Sequence, residues 1–222
     1  MKALRRFLSK PDWKNLRTTK PISTVFGLDR GSPVDRFYIE KFLEENKAGI
    51  KGNVLEVAED TYTKRFGQEG TRSMVLQYQG ERNESTLLGD LTNHSTLPEN
   101  EFDCFICTQT LNFIYDFNAG IAGIKKLLKK DGVALVTLAG LCQISRYDMD
   151  RWGDFWRFTT ASGEKIFADA FGKDNVSVKS YGNVLTAVAL LHGISQEELK
   201  EEELLEHDPN YQIVISIVAR KC

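Results

Sequence analysis

Short apolar runs alternate along this chain with stretches whose apolar residues recur every three or four positions. The runs Asn53 to Ala58, Ser73 to Tyr78, Ser85 to Leu88, Asp103 to Thr108 and Val133 to Leu138 predict strands, and the first reads as buried on both faces of a parallel sheet. Helical spacing appears between and around them. Val34, Phe37, Ile39, Phe42 and Leu43 give one apolar flank up to about Asn46, with Ser32 as cap, Pro33 at the first helical position and Asp35 in the first turn. From Asn118 to Lys130, Ile121, Ile124 and Leu128 share a face and four lysines crowd the end, before Asp131-Gly132 stops the helix. Later, Thr160 opens a helix closed by Gly172, and Val176 to Ser180 is a short strand. Asn183 to His192 is apolar all round and predicts a buried helix, while Ser195 to Glu198 forms a capping box that opens an acidic surface helix. Tyr211 to Val218 is the last strand.

Repeated strand, helix, strand with short connections predicts an α/β fold built on a single doubly wound, mostly parallel sheet with helices on both faces. The 222 residues, 41% hydrophobic and 27% charged, fit one such domain over 21–222, preceded by a basic arm over 1–20 that either trails in solvent or packs against it. A net charge of -2 offers no global attraction to nucleic acid. No apolar run approaches the roughly 20 residues a bilayer span needs, and the basic start lacks a signal peptide's apolar stretch, so a cytoplasmic location is expected. Cys104 and Cys107, three apart in a strand, point to opposite faces and are expected to be buried thiols, not metal ligands. The three histidines are scattered without metal-ligand spacing, and no nucleophile elbow or P-loop occurs.

Candidate chemistry starts at Glu56, a single acid inside the first apolar run. A carboxylate there needs a partner, which puts it at the carboxyl end of the sheet, where open α/β folds bind ligands. The Asp29-Arg30-Gly31 loop either reaches over that end or is an ordinary loop with Asp29 and Arg30 paired.

The order of elements, with LLGDLTN, LPENEFDCFICTQTLNFIYD and IKKLLKKDGVALVTLAG, resembles the class I S-adenosylmethionine-dependent methyltransferases from about Gly52 onward. The resemblance implies a Rossmann-like methyltransferase fold and S-adenosylmethionine as cofactor. It gives Glu56 the role of the acid in the first strand and puts Ala58, Glu59 and Asp60 in the turn that wraps the cofactor's methionine part. Ala58, Asp60 and Tyr62 stand where that family usually carries glycines, whose lack of a side chain admits a ligand to the backbone. Glu81 is the nearest match to the acid that holds the ribose, although it comes late. Asp90, with Leu91 beside it, matches the acid that faces the adenine amine, and Thr108 and Gln109 would line the cofactor floor.

The segment from Ser145 to Thr159 follows the fifth strand, on the acceptor side in this architecture. Arg146, Tyr147, Arg151 and Trp152 are its candidate substrate-binding residues, since aromatic faces and charged groups together suit a small molecule or a sugar. Equally, Trp152, Phe155 and Trp156 lie at helical spacing that suits the core, with Arg151 and Asp154 paired across one turn. Asp150, Asp154 and His192 are the candidates for a catalytic base. The expected activity is methyl transfer from S-adenosylmethionine to a small molecule or sugar. The missing glycines motivate a non-catalytic binding or assembly protein as the alternative, and a sugar-transferring enzyme is a weaker one, resting on Asp148-Met149-Asp150.

Overall fold

The computed structural model describes residues 14–81 and 83–222; most of the basic arm lies outside the described residues. Seven strands form one sheet in the order β3-β2-β1-β4-β5-β7-β6. They are β1 (Asn53–Val57), β2 (Arg72–Gln77), β3 (Thr86–Leu88), β4 (Phe102–Thr108), β5 (Leu128–Ala139), β6 (Val176–Tyr181) and β7 (Val214–Arg220). Neighbours are parallel except at β7, which runs antiparallel to both β5 and β6. The chain winds outward from β1 through β2 to β3, then returns to place β4 on β1's other side. That reversal opens a crevice at the carboxyl ends of β1 and β4.

Strand alternation divides the core into two layers. Val54, Cys104, Ile106, Val133 and Leu135 face α1 (Val34–Glu45), α2 (Thr61–Phe66) and α6 (Val184–His192). Leu55, Phe105, Cys107, Ala134 and Val136 face α3 (Phe117–Leu127) and α5 (Thr160–Phe171). Cys104 and Cys107 therefore lie buried on opposite faces, as their spacing predicts. Two short helices, α4 (Arg146–Met149) and α7 (Glu201–Leu205), complete the α-helices of the described residues.

Several boundaries differ from the sequence reading for local reasons. Pro33 is the N-cap of α1 and Ser32 does not cap it; the Ser32 N–H instead donates to the Glu197 carboxylate, 2.9 Å away. α3 ends at Leu127, not Lys130, because Leu128 is already extended and pairs with Phe102. α2 has no counterpart in the reading, because six residues carry too little periodicity to stand out. The capping box at Ser195 is present, but it opens a single 3-10 turn, and the acidic helix begins after Lys200. α6 is not buried all round: Val184, Leu185 and Leu191 are exposed.

Two features position the site. Gly123 on α3 lies against the turn after β3, where a Cβ would come 2.2 Å from the Leu91 carbonyl, so the absent side chain lets the helix seat that turn. The loop before α1 bends over the sheet edge, so that Phe26 and Leu28 reach the crevice. Asp29 and Arg30 are not paired with each other. Asp29 accepts from the Ser23 hydroxyl, and Arg30 reaches Glu198, its Nε 2.9 Å from Oε2.

Candidate functional site

The crevice is a cavity of about 1000 Å³ at the carboxyl ends of β1, β2 and β4, closed at its sides by α1 and by the segment after β5. Glu56 sits in its wall and is 2% exposed. Its carboxylate accepts from the Tyr62 N–H (3.1 Å), the Thr63 N–H (2.7 Å) and the Thr63 hydroxyl (2.7 Å). Glu56 thus ties the strand end to the first turn of α2 and fixes the turn between them. Burial pushes its carboxyl above the usual range, against the pull of those three donors.

That turn carries the cavity's most unusual backbone. Ala58 has φ +70, the left-handed region that glycine enters without strain, and its N–H donates to the Leu76 carbonyl at 3.0 Å. Ala58 and Glu59 both line the cavity. Asp60 does not. It turns away, 2.8 Å from Lys64 Nζ and 3.4 Å from the Ser73 hydroxyl. Tyr62 lines the cavity, and its hydroxyl accepts from Arg36 at 2.6 Å.

On the next wall Asp90 and Leu91 line the cavity together. One Asp90 oxygen, Oδ1, accepts from the Thr92 N–H and hydroxyl, both at 2.8 Å, and among the described residues no hydrogen bond engages Oδ2. Glu81 is exposed and lies outside the cavity; the end of β2 is represented there by Gln77, Tyr78 and Gln79. Thr108 and Gln109 form part of the floor. Gln109 also has a left-handed backbone, φ +49, and its Oε1 is buried without a hydrogen-bond partner.

The segment after β5 departs from the helical core reading, with its pairing of Arg151 and Asp154. Trp152 to Phe158 is not helical, Trp152 and Phe155 are about half exposed, and Trp156 is partly buried against Phe117 and Tyr115. Asp154 pairs with Arg157, not Arg151, through bonds of 2.6 and 2.8 Å. Asp154 also accepts from the Ser145 N–H at 3.1 Å, and Arg157 donates to the Gln143 carbonyl at 2.8 Å, so the pair staples the loop. Burial raises the Asp154 carboxyl, but Arg157 and the other donors outweigh it and hold it below the ordinary range.

Of the remaining candidates, Trp152 lines the cavity, whereas Arg146, Tyr147, Asp150 and Arg151 lie outside it. Arg146 pairs with Asp150 at 2.7 Å, and the Arg151 guanidinium stacks on the Tyr147 ring, 3.4 Å from its centroid. These last two meet Tyr78, Gln79 and Trp152 around a smaller neighbouring hollow. His192 ends α6 away from the cavity, its carbonyl accepting from the N–H groups of Ile22 and Ser23.

Sequence reasoning passed over Asp35, Arg36, Asn112, Cys142 and Arg157, all of which line the cavity. Asp35 carried a signal, an acid in the first turn of α1, that reads just as well as a dipole partner. Burial pushes its carboxyl up although Arg36 is adjacent, and it pushes the Cys142 thiol up to about 11.

Residues 48–136 match the family model described as a methyltransferase domain. Among solved structures, an S-adenosylmethionine-dependent methyltransferase of Archaeoglobus fulgidus shares 12% identity at a TM-score of 0.53, covering 84% of this chain and 94% of its own. The 1,6-didemethyltoxoflavin-N1-methyltransferase of Burkholderia thailandensis, solved with its substrate and S-adenosylhomocysteine, shares 13% at 0.51, covering 84% and 81%. At such identities these likenesses speak for the fold. No curated protein sequence matches the chain.

Proposed function

We infer that this chain, which belongs to the class I S-adenosylmethionine-dependent methyltransferase family, transfers a methyl group to a small molecule or sugar taken into the cavity beside the cofactor. The observation that carries this reading is the Ala58 turn. A residue that is not glycine holds the left-handed backbone the family gives to glycine, with the smallest side chain available, facing a cavity of about 1000 Å³. The substituted turn therefore still offers its backbone to a ligand. The charge added at Asp60 is absorbed by Lys64, so nothing at that position opposes the cofactor.

The lining also fits S-adenosylmethionine chemically. Gln109 Oε1 is a buried acceptor without a partner, and Asp90 has a free oxygen suited to the adenine amine. Arg36 lines the cavity with a guanidinium bonded to the neutral Tyr62 hydroxyl, which leaves its charge for the cofactor's carboxylate. Gln77 and Gln79 stand on the β2 wall where the family usually has an acid, and their amides suit ribose hydroxyls. When bound, the cofactor supplies an electrophilic methyl group on sulfur. The protein's own work is to orient both partners, exclude water and accept a proton where the acceptor carries one. Tyr78, Tyr115, Trp152 and Phe155 border the cavity with exposed rings, a rim suited to a small organic acceptor or a sugar face.

The test is incubation of the full chain with methyl-labelled S-adenosylmethionine and pooled small amines, alcohols and sugars. Transfer of label to a pool member supports the reading; release of S-adenosylhomocysteine that no acceptor stimulates argues against it.

A further inference from the structure

Exposed aromatic rings are concentrated at one place on this molecule. Among the described residues the exposed rings are those of Tyr78, Tyr115, Tyr147, Trp152 and Phe155, and all five border the cavity or the hollow beside it. They come from three separate connections, after β2, after β4 and after β5. Rings scattered singly over a surface need no explanation, but a cluster left exposed around a cavity mouth marks a rim that receives a ligand. Tyr78, Gln79 and Trp152 line both spaces, so the hollow continues the cavity outward to Tyr147 and Arg151.

Arg151 sets the charge of the hollow, and among the described residues no acid lines it. The acids nearest in sequence are engaged elsewhere: Asp150 holds Arg146 at 2.7 Å, and Asp148 accepts from the Ser145 hydroxyl at 2.5 Å. Arg30, Arg65 and Arg146 each reach a carboxylate on this surface, whereas Arg151 pairs with none among the described residues. Its Nη1 donates to the Tyr147 carbonyl at 2.7 Å, and its face lies on the Tyr147 ring. Stacking uses the face of a guanidinium and leaves its edge, so the N–H groups of Nε and Nη2 keep the planar fork that matches a carboxylate or a phosphate. The bond and the stack also hold the side chain in place, so a ligand has little ordering left to impose.

We propose that Arg151 anchors an anionic group of the acceptor at the cavity mouth: a carboxylate or phosphate lies in the hollow, the body of the molecule rests on the surrounding rings, and the atom to be methylated enters the cavity. The substrate class is then a small molecule with a hydroxyl or amine to methylate and an anionic end, phosphorylated sugars included. This rests on the methyltransferase reading above, with the cofactor on the Ala58 and Asp90 side.

Phenyl phosphate, benzoate, benzyl alcohol and benzylamine share a ring and differ in the charge of one group. Ligand-observed NMR titration of each, near neutral pH and at low salt, into the full chain saturated with S-adenosylhomocysteine keeps the probes out of the cofactor's own site. One or both anions are expected to bind at least about fivefold more tightly than benzyl alcohol, with benzylamine weakest, and the tighter anion tells a phosphate from a carboxylate. Arg151→Gln should bring the anions down to the level of the alcohol while S-adenosylhomocysteine still binds. Lys165→Gln removes an equal charge from the exposed surface of α5 and should leave the preference intact. Benzyl alcohol or benzylamine binding as tightly as both anions in the parent protein, or no anion binding at about 10 mM, overturns the proposal. So does a preference that survives Arg151→Gln or falls equally in Lys165→Gln. If S-adenosylhomocysteine itself does not bind but the anions are still selected through Arg151, the methyltransferase reading fails and the anion site stands.

Discussion

Replacing Asp154 by Ala should cost far more stability than replacing Arg151, although sequence spacing alone pairs the two. The Asp154 side chain is 1% exposed and its partner Arg157 28%. Its removal strands the Arg157 guanidinium, the Ser145 N–H and the Asn112 amide, each of which donates to it. Breaking a buried ion pair from one side costs about 3–5 kcal/mol, and the partial exposure of Arg157 lets water recover some of that, so about 2–3 kcal/mol is expected. For a chain of this length that corresponds to a fall in Tm of roughly 5–10 °C. Arg151 is exposed and stacks on Tyr147, so Arg151→Ala should stay within about 0.5 kcal/mol. Urea denaturation of both variants measures the difference. The pH profile adds a second check. The folded Asp154 carboxyl lies below its unfolded value of about 3.9, so its stabilisation is complete above that pH and fades as the pH falls further. Asp154→Asn should flatten that acid limb. A loss below about 1 kcal/mol for Asp154→Ala, or an equal loss for Arg151→Ala, would refute the assignment of the staple to Asp154 and Arg157.

Three further outcomes are expected. Ala58→Gly should stabilise the fold by up to about 1 kcal/mol by relieving the left-handed strain, with cofactor binding retained, whereas Ala58→Val should lose both; thermal melts with and without S-adenosylhomocysteine distinguish them. Glu56 behaves oppositely to Asp154. Its folded value is raised, so between the unfolded value of about 4.3 and the raised one its contribution to stability falls as pH rises, and Glu56→Gln should remove that slope from a series of denaturation curves. Asp90→Ala should weaken S-adenosylhomocysteine binding by about 1–3 kcal/mol in calorimetry with the fold intact; unchanged affinity would take Asp90 out of the site.

The architecture was legible because buried parallel strands leave unbroken apolar runs and their connecting helices leave a period. β1, β4 and β5 and the helices α1, α3 and α5 all fall within a few residues of the pattern that announces them. At the site, Glu56 stood out as an acid in an apolar strand, and Ala58, Glu59, Asp90, Leu91, Thr108 and Gln109 all line the cavity. What stayed hidden depends on contacts between distant parts of the chain. Asp35 and Asn112 belong to the cavity only because α1 folds over the end of β1 and the 154–157 segment packs on the loop after β4. The spacing of Trp152, Phe155 and Trp156 suggested a helix, yet the Asp154 staple and the bonds to the Asn112 carbonyl hold that segment in a non-helical course. Positive φ at Ala58 is not announced by the residue itself, since alanine elsewhere is a helix former; only the family resemblance, which puts a glycine at that position, hints at it.

Isothermal titration of the full chain with S-adenosylhomocysteine tests the central claim most directly. One saturable site is expected, accompanied by a rise in Tm of roughly 5–10 °C at a hundredfold excess over Kd, since a ligand that binds only the folded state adds about 2.7 kcal/mol there. No binding heat and no shift in Tm at millimolar ligand would contradict it.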